Sequence, residues 1–576
     1  MFARRRSVLI AAIILSGCGS SDNTNPGGFN SGSNSGSTSA SGGSAGTSTS
    51  TSTTGSTVVT GTTVVTGTTV TTGADGGVST ITTTSTQTTT TTSTSTSTST
   101  KLTLPLLVTS AQNALWQTGG TITSGASGNA TVTVNASTTM QTFTGFGGAF
   151  NEVGWKYIQM LSPSDQTKAL TALFDSTNGA NFQYGRIPIG ASDYATTRYT
   201  DDENSGDTSM SKFSLNQDTM FLIPYVKAAL AVNPNLTLWA SAWTPPTWMK
   251  TTSGMGNGSS CALTGGTMFD GGCMKSDATT LTAYALYLST WVSQYSSMGM
   301  PIKMIVPQNE PSYSQGYPSC LWDTAVFNTF VKTYLSPKIT SANSGTQIFL
   351  GTMSKGNASP GDIDEMAAIL GDNTTKGLVK GFGLQWTMQS GGTFSFSNNT
   401  VVANGVSSSH LPIWQTEHQA GNYPWNPAGS PPFNANMAPN DFAYGVESWG
   451  LIRDWLKAGA TSYSAWNMVL DQIGLGNDTV RVWPQDSLLV VNTSSKSLTL
   501  TPAYYVFRHI SQYVQPGATR VATSGALDTL AFKNPDGTTV TILYNSGGSA
   551  AQTVLAVGST KLQFSVPAGG FATVVN

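Results

Sequence analysis

Eight short apolar runs, rich in β-branched and aromatic residues and set apart by segments of helical period, constrain this chain more than any other feature. They are Phe143 to Phe150 (FTGFGGAF), Phe182 to Ile189 (FQYGRIPI), Leu236 to Trp243 (LTLWASAW), Ile302 to Glu310 (IKMIVPQNE), Gln347 to Thr352 (QIFLGT), Val379 to Trp386 (VKGFGLQW), Leu411 to Glu417 (LPIWQTE) and Thr461 to Met468 (TSYSAWNM). Helical stretches fall between them at Pro163 to Phe174, Thr219 to Val232, Thr279 to Ser296, Thr324 to Tyr334 and Asp441 to Ala458. The last carries an apolar stripe at Phe442, Val446, Trp449, Ile452 and Leu456. Eight strands in alternation with helices are the count of a (β/α)8 TIM barrel, an α/β fold, expected over residues 143–484. An open doubly wound sheet shares the alternation, but no G-x-G-x-x-G turn with a following acidic residue supports a dinucleotide site.

The flanks have other textures. Residues 485–576 alternate in LLVVNTS, SLTLTP, DTLAFKN, TVTILYNS, KLQFSVP and FATVVN between Gly, Pro and Ser turns, the pattern of an antiparallel β-sandwich. Residues 102–142, with ATVTVNAS, read alike and are expected to add strands to that module. Ahead of them, residues 19–101 are almost entirely Ser, Thr, Gly and Val. So little apolar surface cannot offset an ordering cost of ~1 to 2 kcal/mol per residue, so a disordered linker is expected. The TVVTGT repeats inside it are too few to favour a β-solenoid.

Residues 1–18, MFARRRSVLIAAIILSGC, have an arginine cluster and then an apolar stretch too short to span a bilayer, the form of an export signal. Leu15-Ser16-Gly17-Cys18 resembles the bacterial lipoprotein box, making Cys18 the expected lipidation site, on a membrane-anchored lipoprotein at the cell surface or in the periplasm. Arg5-Arg6-Ser7-Val8-Leu9 loosely resembles a twin-arginine signal, and an ordinary cleaved signal leading to secretion is the other reading. With Cys18 lipidated, Cys261, Cys273 and Cys320 remain, and Cys261 with Cys273, flanking a Gly-rich stretch, is the expected disulfide.

Charge and residue scarcity narrow the chemistry. Only 9% of residues are charged, net −2, with no basic stripe beyond the N-terminus, so no nucleic-acid partner is expected. Three histidines without paired spacing give no metal site, and no cofactor is expected. The chain holds six glutamates, Glu152, Glu203, Glu310, Glu365, Glu417 and Glu447. Glu310 and Glu417 end the fourth and seventh strand runs, where barrel enzymes place their chemistry. Glu365 and Glu447 fall in helical stretches and are expected to be solvated. Glu203 lies in an acidic loop, and Glu152 is either a site residue or a loop anchor. Two barrel-top carboxylates suggest glycoside hydrolysis, one protonated to serve the leaving oxygen and one ionised to attack. Trp243, Trp248, Trp386, Trp414, Tyr423, Trp425 and Trp466 lie near the strand ends, where sugar faces stack, and about half are expected only to pack the rim.

GFGGAFNE (145–152), RIPIGASDY (186–194), WASAWTPPTWMK (239–250), QNEP (308–311), GYPSC (316–320), TEH (416–418), AWNMVLD (465–471) and YYVFRHISQYVQPGATRV (504–521) together resemble glycoside hydrolase family 30, on its glucosylceramidase and endo-β-1,6-glucanase side. The resemblance implies a retaining β-glycosidase, a barrel joined to a β-sandwich built from both chain ends. Its substrate would be a β-linked oligosaccharide, polysaccharide or glycolipid. It assigns Glu310 as acid/base and Glu417 as nucleophile, Asn309 to the sugar 2-hydroxyl and Asp193 to other hydroxyls. Trp243 and Trp466 become walls of the sugar subsite with Asn467 beside them, Arg186 orients the nucleophile, Tyr317 lies near the acid/base, and Trp386 contributes to substrate binding. The glucosylceramidase pattern carries a histidine and Trp-Tyr at strand six, where this chain has Gln385-Trp386-Thr387. A xylan-cleaving member of the family shares the chemistry, and a non-catalytic tethered lectin would keep the aromatics without needing either glutamate.

Overall fold

The computed structural model describes residues 57–72, 78–93, 103–255, 260–342, 345–354, 361–385, 389–390, 392–394, 396, 400–418, 442–476 and 485–576. Two units are distinct, Met1–Lys101 and Leu102–Asn576. In the first, Thr57–Thr72 and Val78–Ser93 pair as antiparallel strands in continuous register, where a disordered linker was expected. Thr and Val are β-branched, and a stiff side chain at Cβ suits extended backbone even where little can be buried. Residues 1–18, the expected export signal with Cys18, lie outside the described residues.

In the second unit eight parallel strands close into a barrel. They are β1 (Gly145–Ala149), β2 (Tyr184–Ile189), β3 (Thr237–Ala242), β4 (Ile302–Val306), β5 (Gln347–Met353), β6 (Val379–Gln385), β7 (Ile413–His418) and β8 (Ser462–Asn467). Each coincides with one of the eight apolar runs. The first run needs its glycines for contact between strands: a Cβ on Gly147 would stand 2.4 Å from the Tyr184 carbonyl oxygen across the β1–β2 pair. Tyr184, Trp239, Met304, Val306, Phe349 and Trp414 meet inside the barrel as a plug of large side chains.

The helices follow from local signals. Ser162 accepts from the Asp165 amide ahead of Pro163–Phe174, and Asp277 accepts from Thr280 ahead of Ala278–Ser297. After β8 the expected boundary moves. Leu489–Asn492 and Ser497–Leu500, expected as sandwich strands, instead pair with each other, and Leu489–Asn492 runs parallel to Val469–Asp471, in a separate three-stranded sheet. The chain then forms the helix Pro502–Ser511, capped by Thr501 with proline in its first turn, which lies against the helix Phe442–Ala458 as the eighth barrel helix. Short alternating runs look alike in any sheet, so the sequence could not tell which sheet they join.

The sandwich itself is a ten-stranded sheet that includes Leu106–Ala111, Ala114–Thr118, Thr123–Ser124 and Val132–Thr142 together with six strands from Thr519 to Val575. Strands far apart in the sheet order share one core, Leu107 and Val574 meeting Val132, Leu555 and Phe564, so the sheet is folded upon itself. His509, fully buried on the eighth barrel helix, joins the two bodies: one ring nitrogen lies 2.9 Å from the Thr573 hydroxyl and the other 2.8 Å from that of Ser110.

Candidate active site

The C-terminal ends of the barrel strands gather the polar side chains of the site. Arg186 sits two residues above the plug residue Tyr184 on β2, and alternation along the strand turns both inward. Its guanidinium is fully buried, and each of its three nitrogens donates. Nε donates to the Ser241 hydroxyl at 2.9 Å, one terminal nitrogen to Glu417 Oε2 at 2.5 Å, and the other to Asn309 Oδ1 at 2.7 Å. It also lies 4.3 Å from the Trp243 ring centroid.

Glu417 reaches this position through an irregularity. Trp414 faces the barrel interior, and strict alternation would turn Thr416 inward next. The β6–β7 pairing skips a residue between Leu384↔Gln415 and Gln385↔Glu417, which re-aims Glu417. Its Oε2 receives both Arg186 and, at 3.1 Å, the Gln385 amide.

Glu310 lies just beyond β4 in a left-handed backbone conformation, φ 47°, uncommon for a residue with a side chain. Tyr313 N–H closes the turn onto the Glu310 carbonyl, while Glu310 N–H donates to Thr352 at the end of β5. The Tyr317 hydroxyl donates to the Glu310 carboxylate at 2.8 Å.

The two carboxyls differ in their partners. Burial, then the charge of Glu417, then that of Asp362 push Glu310 well above the ordinary range, and the Tyr317 and Ser354 hydroxyls only partly offset this. Burial also raises Glu417, but the Arg186 guanidinium works against it, so Glu417 loses its proton first. Asn309 is oriented as well. Its Oδ1 accepts from Arg186, from the Thr352 hydroxyl and, at 3.4 Å, from Gln385, which leaves its N–H2 group as the end free to turn toward a ligand.

The other expected residues divide. Asp193, in the loop after β2, is buried, and its charge acts on Arg186, Glu417 and Tyr194. Trp243 and Trp466 stack with ring centroids 5.3 Å apart and share a cluster with Tyr194 and Tyr317. Asn467 is committed to protein groups, accepting from Asn151 at 3.0 Å and donating to Gln485 at 2.8 Å. Trp414 belongs to the plug rather than the rim, and Trp248 donates to the Asp202 carbonyl at the half-buried edge of the loop. Trp386, Tyr423 and Trp425 lie outside the described residues. Glu152 is an anchor: its carboxylate receives the Thr196 amide and hydroxyl and Gln217.

Glu365 corrects an expectation. It is buried, because it shares the inner face of its helix with Met366 and Ile369. Cys261 and Cys273 form a disulfide with Cα atoms 5.2 Å apart, and Cys320 is a buried free thiol. Sequence reasoning gave no role to Ser241, Thr352 or Gln385, although each is a polar residue near the end of an apolar strand run. That position was the available signal.

The profile of the glycosyl hydrolase family 30 TIM-barrel domain matches residues 143–514, and that of the family 30 beta sandwich domain matches 517–574. Lysosomal acid glucosylceramidase of Mus musculus is 26% identical over 427 residues, 70% of this chain and 74% of that protein. Endo-1,6-beta-D-glucanase BGN16.3 of Trichoderma harzianum is 26% identical over 425 residues, 71% of this chain and 78% of that protein. Among solved structures, the endo-beta1,6-glucanase BT3312 superposes with a TM-score of 0.69 at 22% identity, covering 82% of this chain and 98% of that one. The barrel, the folded sheet built from both ends of the body and the two strand-end carboxyls agree with the match along nearly all of this unit: the chain belongs to glycoside hydrolase family 30.

Proposed function

We propose that this protein is a retaining β-glycosidase that works by double displacement, with Glu417 as nucleophile and Glu310 as acid/base. One observation carries the reading: of two buried carboxyls at the strand ends, only Glu417 is paired with a guanidinium, while Glu310 is held by a phenol and faces two negative charges. The pair is therefore split into an ionised attacker and a proton donor near neutral pH.

In the first step a Glu417 oxygen bonds to the anomeric carbon, the glycosidic C–O bond breaks, and the departing oxygen takes the Glu310 proton. Oε2 is occupied by Arg186 and Gln385, so Oε1 is the attacking atom. In the second step Glu310, now a carboxylate, takes a proton from water as its oxygen attacks the same carbon, and the ester to Glu417 breaks. Asn309 donates to the 2-hydroxyl, a bond that strengthens as charge develops on the sugar. No metal or cofactor enters either step.

The substrate we favour is a β-glucoside, in a β-1,6-glucan or a glycolipid, following the relatives that carry those names. Gln385 in place of the glucosylceramidase histidine counts against glucosylceramide. A quenched fluoroglycoside should label Glu417 covalently, and label on another residue would overturn the assignment. Turnover of β-1,6-glucan, glucosylceramide, xylan and aryl β-glucosides decides the substrate. We also infer export and lipidation at Cys18.

A further inference from the structure

We propose that Asp362 is the positioning residue of the acid/base: a buried carboxylate that clamps the left-handed turn bearing Glu310 and places a fixed negative charge behind it. The proposal rests on the glycosidase reading above and deepens it.

Asp362 opens the helix Asp362–Gly371 and is fully buried, 52 residues along the chain from Glu310. Its two oxygens serve two loops. Oδ1 accepts from the Ser312 amide at 3.0 Å and from the Ser312 hydroxyl, two residues beyond Glu310. Oδ2 accepts from the Ser354 amide and, at 3.4 Å, from the Ser354 hydroxyl, just after β5. Ser354 in turn hydrogen-bonds the Glu310 carboxyl. One side chain thus ties together the segments on either side of the acid/base.

The turn needs a tie. A side chain at φ 47° costs ~1 kcal/mol or more, and such a conformation persists only where its surroundings over-determine it. The bonds from Thr352, Tyr313 and Asp362 supply that. Four donors address Asp362 at the positive end of its helix, an arrangement that favours the carboxylate form. Its charge then opposes ionisation of Glu310.

Glu310 faces other charges too, Glu417 from β7 and Arg186 from β2, while Glu365, on the helix of Asp362, faces both Asp362 and Asp364. The role of Asp362 is separable from these by substitution. In Asp362→Asn the negative charge is lost and an N–H2 group meets N–H donors, so Glu310 should both ionise more easily and lose its fixed position.

The test uses the full chain and two aryl β-glucosides, one with a phenol and one with a dinitrophenol leaving group. Only the phenol needs a proton in the transition state. Asp362→Asn should move the basic limb of kcat/KM to lower pH by at least about half a unit, and lower activity on the phenyl glucoside about tenfold more than on the dinitrophenyl one. A merely structural role would lower both equally with the limb unmoved, and that result overturns the proposal. If Asp362→Asn yields no folded protein, Ser312→Ala removes one bond and no charge: selective loss on the phenyl glucoside supports the clamp, and equal loss overturns it. A folded wild type inactive on both substrates would instead sink the glycosidase reading, whereas an active wild type, blocked by Glu310→Gln, with an unaltered Asp362→Asn sinks the clamp alone.

Discussion

Replacing Arg186 with glutamine removes one positive charge from a fully buried site and leaves the shape nearly filled. The guanidinium nitrogen lies 2.5 Å from Glu417 Oε2, which puts the charge centres ~4 Å apart. At an effective dielectric of ~20 that attraction is worth about 4 kcal/mol, or roughly three pH units on the Glu417 titration. The remaining Gln385 bond is neutral and recovers little of it. The acidic limb of kcat/KM should therefore rise by about three units in Arg186→Gln, and at pH values below the wild-type limb activity should fall about a thousandfold. A dinitrophenyl β-glucoside is the right substrate, because its departure needs no acid and the rate then reports the nucleophile alone. Arg186→Lys separates charge from geometry. It keeps the charge and loses the fork to Asn309 and Ser241, so the limb should stay within about half a unit while kcat falls. A folded Arg186→Gln enzyme with its limb in place and activity within tenfold of wild type would show that the guanidinium does not hold Glu417 ionised.

Further expectations concern each part of the molecule. Glu310→Gln should cost ~100-fold or more on phenyl glucosides and little on dinitrophenyl ones, with added azide restoring rate and giving a β-glycosyl azide; an α-product would refute retention. Burial and neighbouring Arg508 push His509 down from 6.5 to about 3. Its contribution is therefore present above pH 6.5 and lost as pH falls toward 3. By pH 5 the wild type should have lost about 2 kcal/mol more than His509→Gln does, by denaturant unfolding against a pH 7.5 reference, and parallel curves would contradict this. The Cys261–Cys273 bridge closes a loop of 12 residues and should contribute ~3 kcal/mol; a Cys261→Ser, Cys273→Ser protein with an unchanged melting temperature would leave it without a stabilising role. Cys18→Ser should abolish the lipid mass increment on the exported protein, and an unmodified wild-type mass would end that proposal.

The barrel was legible because each strand is a contiguous apolar run, and contiguity survives in a linear sequence. Glu310 and Glu417 were legible for the same reason, as carboxylates closing such runs in a chain with few glutamates. What the sequence hid is pairing between distant segments. Asp362 has no local mark, since its partners Ser312 and Ser354 are remote or across a loop. The charge of Glu365 suggests a solvated residue, although its position three residues from Asp362 and four from Ile369 on one helix puts it on the inward face. The misplaced sandwich boundary has the same origin: Leu489–Asn492 finds its partner in Val469–Asp471, and nothing in either run names the other.

The folded sheet also sets an order on the birth of the molecule. Ser110 pairs with Phe571 and Leu106 with Val575, so the strand Leu106–Ala111 waits for a partner more than 460 residues later. The barrel between them can close beforehand, but the sheet can zip only once the strand Phe571–Val575 has been made. Loop closure over so long a separation is slow. The Ser110–His509–Thr573 bridge joins the earliest and latest segments across the eighth barrel helix. Its formation is a natural marker for the end of folding, and a chain truncated by even its final strand should stall with an open sheet edge exposed to aggregation.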